Sequence, residues 1–312
     1  MAALTGISNV VASQTWPTKP IHVIVPFTAG SVTDIVPRII FDQISVQFQQ
    51  PIIIENRTGA GSTIAEAFVA KSNPDGNTIL VNSSAHTIVP SLYHQLPYDP
   101  AHDFSAIIPL GVVPLVLVIS PFQGIKTLQD FVAVAKLKDG GLTFASTGIG
   151  SATHLSAERF RKSAGFQATH IPFKGVPEAL TEVMQGRVDF CLCALGTTLP
   201  YIHDGKLSAL AIGTSKRSSL LPGVPTMQER GLLNSELIFW IGLFAPAKTS
   251  RQTIEKLHDE VVQAMQSSAL RAKLEKLGVE PLTMSPSDFE DFVQSEIVRN
   301  ALLIKSIGLK AN

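Results

Sequence analysis

Ile21-His22-Val23-Ile24-Val25 leads directly into Pro26-Phe27-Thr28-Ala29-Gly30-Ser31-Val32-Thr33-Asp34, and the reading of this stretch decides the fold. The first five residues are almost uniformly apolar, the pattern of a parallel strand buried on both faces. Beyond Asp34, apolar residues continue through Ile39, Ile40, Ile44 and Phe48 at helical spacing. Thr33 or Asp34 suits the N-cap of that helix, and Pro37 is tolerated in its first turn. A strand, a small-polar loop and a helix in this order form the opening of a βαβ unit.

The unit recurs along the chain. Pro51-Ile52-Ile53-Ile54 precedes Gly59-Ala60-Gly61-Ser62 and an Ala-rich helix, and Thr78-Ile79-Leu80-Val81 precedes Asn82-Ser83-Ser84. Alternation of this kind predicts a parallel sheet with helices on both faces. A second series opens at Leu142-Thr143-Phe144-Ala145, followed by Ser146-Thr147-Gly148-Ile149-Gly150-Ser151 and a helix through Leu155 and Phe160. Its other strands are expected at His170–Phe173, Val188–Leu192 and Ala209–Ile212. Pro114–Ile119 and Trp240–Pro246 read as strands that cross between the two series, so the C-terminus completes the first lobe. The expected limits are 16–118 plus 243–312 for lobe 1 and 119–242 for lobe 2. Past Pro246, Ile254, Leu257, Val261, Met265, Leu274 and Leu277 keep one apolar helical face that Gly278 ends, and Ser287 with Glu290 reads as a capping box for the last helix.

Composition bounds the function. At 312 residues, with 45% apolar and 16% charged residues, the chain can bury two cores and is too apolar for disorder. Lys plus Arg and Asp plus Glu both number 25, and no basic run occurs, so nucleic acid is not an expected partner. An anion must be held by a few local groups. No run approaches the ~20 apolar residues of a membrane span. Cys191 and Cys193 would share one face of a strand and read as two buried thiols, rather than a metal or redox pair. Residues 2–13 are small and apolar and end before Gln14-Thr15-Trp16-Pro17, like the end of a secretory signal, but without a basic start. A shortened signal, a start inside the signal and a cytoplasmic protein all remain open readings, with export favoured.

The chemistry concentrates in the two small-polar loops, 26–34 and 146–154. Helix N-termini leave N–H groups unpaired and carry partial positive charge, which suits an anionic group. Gly30, Gly148 and Gly150 permit close backbone approach, while Thr28, Ser31, Ser146, Thr147 and Ser151 supply hydroxyls. Either loop alone reads as an ordinary capped helix start; two of them at strand C-termini point to a shared anion cleft. Gly148-Ile149-Gly150 and Gly59-Ala60-Gly61 lack the third glycine of a dinucleotide fingerprint. No G-x-S-x-G elbow or H-E-x-x-H string occurs, so no catalytic residue, cofactor or metal is expected. His154 could act as a ligand contact or a base, or simply bond across its loop, and Lys174 could pair with a carboxylate. Ser151 with His154 lacks the third group that a hydrolytic triad needs.

In order along the chain stand Trp16-Pro17-x-Lys19-Pro20, the Pro26–Asp34 loop, Glu55-Asn56-Arg57-x-Gly59-Ala60-Gly61, Pro74-Asp75-Gly76-x-Thr78, Leu96-Pro97-Tyr98-Asp99-Pro100, Ala145-Ser146-x-Gly148-x-Gly150-Ser151-x-x-His154-Leu155, Pro172-Phe173-Lys174-Gly175, Leu221-Pro222-x-Val224-Pro225-Thr226 and Trp240-x-Gly242-Leu243-x-Ala245-Pro246. This set resembles the Bug, or TctC-like, receptors of tripartite tricarboxylate transporters, from Trp16 almost to the C-terminus. The resemblance implies a two-lobed α/β periplasmic-binding-protein fold (type II-like), with the ligand cleft between two doubly wound lobes that close by hinge motion. It implies a solute receptor rather than an enzyme, monomeric and periplasmic, that hands a small carboxylate to membrane transporter subunits. The alternative is a receptor presenting its closed form to a membrane signalling partner.

Carried onto this chain, the ligand contacts implied are Phe27, Thr28, Ala29, Gly30, Ser31, Asp34, Ser146, Thr147, Gly148, Ser151 and His154, with Ser84, Phe173 and Ala194 toward the far end. Ser31 and Ser62 stand where the family usually has glycine, and Asn77 where it usually has tyrosine. The few Lys or Arg candidates argue against a tricarboxylate, and Phe27 and Phe173 leave an aromatic acid open beside aliphatic diacids and amino acids.

Overall fold

The computed structural model describes residues 16–309, apart from residues 94, 139 and 234–238. The expected signal lies in residues 1–15, outside the described residues. The first series of elements is β1 (Ile21–Val25), α1 (Val32–Phe48), β2 (Ile52–Asn56), α2 (Thr63–Ala70), β3 (Thr78–Ser83), α3 (Ala85–Ile88) and β4 (Phe104–Val112). The second is β5 (Leu115–Ile119), α4 (Leu128–Leu137), β6 (Leu142–Ser146), α5 (Ala152–Ala164), β7 (Ala168–Pro172), α6 (Val176–Met184), β8 (Phe190–Ala194), α7 (Leu195–His203) and β9 (Ser208–Ile212). The chain then returns through β10 (Trp240–Pro246) and ends in α8 (Arg251–Met265), α9 (Ser268–Lys276) and α10 (Pro286–Ile307).

Two five-stranded sheets result, in the orders β2-β1-β3-β10-β4 and β7-β6-β8-β5-β9. Strands β1 to β3 are parallel to one another, as are β6 to β8, matching the two series read from the sequence. The sheets are not wholly parallel, however. β10 runs antiparallel between β3 and β4, and β5 runs antiparallel between β8 and β9. Each is the strand by which the chain enters a sheet after crossing from the other, so it arrives from the opposite direction. The limits expected at 118/119 and 242/243 fall inside β5 and β10, each of which belongs wholly to one sheet. The chain changes sheet at 113–114 and between β9 and β10.

Both of these antiparallel strands, β5 and β10, are buried along their whole length, which explains their apolar sequence. Val116 and Val118 pack with Cys191, Cys193 and Ile212 on one face of the second sheet, while Leu115, Leu117 and Ile119 join Phe144 and Phe190 on the other. That second cluster continues through Val23, Ile79 and Leu243 of the first sheet, so apolar packing links the lobes. Cys191 and Cys193 share a face as expected, with Cα atoms 5.7 Å apart.

The helix ends correct three readings. The cap of α1 is Ser31, not Thr33 or Asp34. The apolar face from Ile254 to Leu277 is divided between α8 and α9, because Ser267 caps a new helix by accepting the Leu270 N–H. The last helix opens at Ser285, whose hydroxyl accepts the Asp288 N–H, with Pro286 at its first position.

Candidate functional site

Strand β1 delivers the loop 26–31 to the N-terminus of α1, and β6 delivers 147–151 to the N-terminus of α5, each at the C-terminal edge of its sheet. The first loop is built on Asp34. Its carboxylate is 2% exposed, accepts the Gly30 N–H (3.0 Å), and is bonded by Arg38 and Asn56 at 2.9 Å each. Asn56 also donates to the Phe27 carbonyl (2.9 Å). Burial opposes ionisation, but the bonds from Arg38, Asn56 and Gly30 outweigh it and hold the Asp34 carboxyl below its usual range. Its acceptor capacity is spent on shaping the loop, so Asp34 fixes where the α1 N-terminus points.

The second loop is built on hydroxyls and two histidines. Ser146 Oγ accepts the Gly148 N–H (3.0 Å) and shares a 2.5 Å bond with His170 Nε2. Ser151 caps α5 by accepting the His154 N–H (3.2 Å) and donates to the Gly148 carbonyl (2.7 Å). Thr153 Oγ1 accepts the Thr147 N–H (2.9 Å) and lies 3.0–3.1 Å from the Ser151 and Thr147 hydroxyls. His154 Nδ1 accepts the Gly150 N–H (3.3 Å), and its ring stacks on His170 with centroids 4.0 Å apart. Burial, then the neighbouring His170 and Arg161, lower His154 to about 3; burial lowers His170 to about 4. Both imidazoles are neutral at pH 7 and act as props beneath the loop. His154 lies 4.0 Å from Glu158, whose carboxylate is already paired with Arg161 (2.5 Å), so nothing prepares it as a base.

The two helix starts meet at one small buried cavity. From the first lobe it is lined by Phe27, Ser31, Val32, Thr33 and Ser83, and from the second by Thr147, Ala152, Thr153, Val176 and Ala194, with Phe239 at the crossing segment. The Ser31 hydroxyl in this lining is buried without a hydrogen-bond partner, a costly state that an acceptor would relieve; the Thr28 and Ser84 hydroxyls, outside the lining, are unpartnered too. Outside it opens a cleft of ≈ 620 Å³, walled by Phe27 and Gly59–Ser62 on one side and by Thr147–Ile149 and Pro172–Lys174 on the other, with Tyr93 and Glu178 at its rim. The Lys174 N–H donates to Glu178 Oε2 (3.1 Å).

Of the residues singled out from sequence, Phe27, Ser31, Thr147 and Ala194 line the inner cavity, and Phe27, Thr147, Gly148 and Phe173 line the outer cleft. Thr28 lies in the seam between the lobes, against Gly175. Ser146, Ser151 and His154 sit behind the second loop, and Ala29 and Gly30 are exposed at the tip of the first. At the end of β3 it is Ser83, next to Ser84, that lines the inner cavity. Sequence reasoning missed Thr33, Thr153, Val176, Phe239 and the whole 59–62 wall. The sequence hint for the last of these is Ser62.

No group of His, Cys, Asp or Glu suited to hold a metal ion occurs among the described residues, and no helix among them is long and apolar enough to cross a membrane. A family model described as the tripartite tricarboxylate transporter family receptor matches residues 36–309. Protein BugT of Bordetella pertussis is 34% identical over 310 residues, covering 99% of this chain and 95% of that protein. An R. palustris structure solved with adipate superposes with a TM-score of 0.90 at 31% identity, over 94% of this chain and 98% of that one. MatC of Rhodopseudomonas palustris with bound malate gives 0.87 at 31% identity, over 93% and 100%. The periplasmic binding protein BugD gives 0.89 at 28% identity, over 95% and 100%.

Proposed function

This chain belongs to the tripartite tricarboxylate transporter receptor family, a family of solute receptors rather than enzymes, and we propose that it captures a small mono- or dicarboxylate between its lobes. One observation carries the reading: the N-termini of α1 and α5, from opposite sheets, converge on a buried cavity whose lining includes the unpartnered hydroxyl of Ser31. Helix-end N–H groups and hydroxyls are donors, and a carboxylate is the small group that accepts from many at once. The proximal carboxylate enters the inner cavity; the rest of the ligand extends past Phe27 and Phe173 toward Lys174, where a second carboxylate finds a cation. The similar structures solved with adipate and malate support this choice of ligand class. In this reading the lobe of β1–β4 and β10 and the lobe of β5–β9 close by hinge motion, and the closed receptor hands its ligand, in the periplasm, to membrane subunits of a transporter.

Adipate and malate are expected to raise the melting temperature in a thermal-shift titration. At ligand a hundredfold above Kd the stabilisation is about 2.7 kcal/mol. Diols of the same chain length should produce no shift. Indifference to a panel of mono- and dicarboxylates would overturn the reading. A second outcome tests the second loop. Ser146→Ala removes the hydroxyl that joins His170 to the loop backbone and should weaken adipate or malate binding by about tenfold in calorimetry. Unchanged affinity would reduce the loop to a helix cap.

A further inference from the structure

Gly59, Ala60, Gly61 and Ser62 form four consecutive left-handed residues, with φ of 131°, 46°, 69° and 118°. Two of the four carry side chains, for which this region is strained. The segment is also pressed against the opposite lobe: a Cβ on Gly61 would stand 2.0 Å from the Ile149 carbonyl oxygen, and Gly148 faces the Gly61 backbone. It is a clip that spans the cleft, and something must hold its shape.

Ser62 stands at the cap of α2, yet with φ of 118° its hydroxyl makes no capping bond to the helix. It turns inward instead and donates to Glu66 Oε1 at 2.5 Å. The same oxygen accepts from Asn82 Nδ2 (2.8 Å), and Oε2 is bonded to His86 Nδ1 (2.9 Å). Glu66, Asn82 and His86 are all fully buried, and the Phe104 and Phe244 rings pack on His86 at 5.1 and 4.5 Å. Burial and the adjacent Glu66 carboxylate raise the pKa of the Tyr98 phenol and keep it protonated. A carboxylate enclosed in this way has one orientation, and that orientation fixes Ser62.

We propose that Glu66, clamped by His86 and Asn82, is a positioning residue for ligand capture: through Ser62 it holds the left-handed 59–62 clip in the shape that docks on Ile149. The capture step rests on the carboxylate-receptor reading above; the clip itself does not. The serine bond matters because serine, unlike glycine, resists φ of 118°.

Two substitutions at Ser62 separate the possibilities. Ser62→Ala keeps the strain and loses the bond, whereas Ser62→Gly loses both. In the free protein, amide exchange across 59–66 should accelerate about tenfold in Ser62→Ala and stay near wild type in Ser62→Gly. Affinity for adipate or malate should fall about tenfold in Ser62→Ala. Glu66→Gln should resemble Ser62→Ala; where its folding fails, the Ser62 pair still decides. Unchanged exchange in Ser62→Ala would overturn the proposal, and so would a Ser62→Gly variant that exchanges as fast as Ser62→Ala. Failure of the wild-type protein to bind either acid would count against the receptor reading alone, since the exchange comparison needs no ligand.

Discussion

Gly175→Ala is expected to cost roughly a hundredfold in carboxylate affinity, the upper end of what overpacking does, while leaving the melting temperature of the ligand-free protein nearly unchanged. Gly175 precedes α6 with φ of −167°, an extended backbone that alanine adopts freely, so the substitution carries no conformational penalty of its own. The penalty is steric and lies across the cleft. A Cβ at Gly175 would stand 1.6 Å from Thr28 Oγ1, 2.8 Å from Thr28 Cβ and 3.1 Å from Cγ2. Rotating Thr28 moves the hydroxyl but not its Cβ, so the clash persists until the lobes separate. Parting them pulls the α1 N-terminus away from that of α5, and the two halves of the anion cavity cease to face one ligand. Calorimetry with adipate and small-angle scattering check this together: the variant should bind weakly and stay extended when ligand is added. Thr28→Ala in the same chain removes two of the three offending atoms and should recover part of the affinity. A Gly175→Ala variant that binds like wild type would mean that closure does not bring Thr28 onto Gly175.

The unit Ile21–Asp34 was readable because everything that shapes it is local: an apolar strand, small residues and a helical period. The same holds for Leu142–His154. Strand β4 escaped because Pro109 and Gly111 interrupt its alternation and read as breakers; they are accommodated beside β10, where the register shifts. The resemblance puts Asp34 among the ligand contacts, where a carboxylate beside an anion site needs explaining. The explanation lies in Arg38 and in Asn56, the latter from the neighbouring strand, which neutralise and orient it.

The wall at 59–62 was the larger omission. Its glycines read as a loop, an incomplete nucleotide motif and part of the family pattern, and its role as a wall depends on a close approach to Ile149 from a lobe that begins after residue 112. Local sequence carries no trace of such an approach. Ser62 in place of the family's usual glycine was the one legible hint, and its consequence needed the partner, Glu66, one helical turn on.

Burial first, and then His170 of the neighbouring strand β7, set the properties of His154. The pair yields the second large effect: the protein should lose stability steeply between about pH 6.5 and pH 4. His170 is lowered to about 4 and His154 to about 3, against 6.5 for either in an unfolded chain. Above pH 6.5 both states are unprotonated and the pair contributes nothing to the pH dependence. As pH falls below 6.5 the unfolded chain takes up protons that the folded one refuses, so the native state is progressively disfavoured until pH reaches the folded values. For His170 alone the loss at pH 4 is on the order of 3 kcal/mol. The fold has no means of accepting the charge. Ser146 bonds His170 on one side, the His154 ring covers a face with Phe144 stacked close by, and Glu158, 4.0 Å from His154, is occupied by Arg161. Urea titrations at half-unit intervals of pH would measure the slope. His170→Gln should flatten it by close to one proton while retaining a polar partner for Ser146. An unaltered slope in that variant would place the acid sensitivity elsewhere. Because the pair props the second loop, carboxylate affinity should also fall over the acid end of the same range, and the part of that fall that persists in His170→Gln measures the ligands' own protonation.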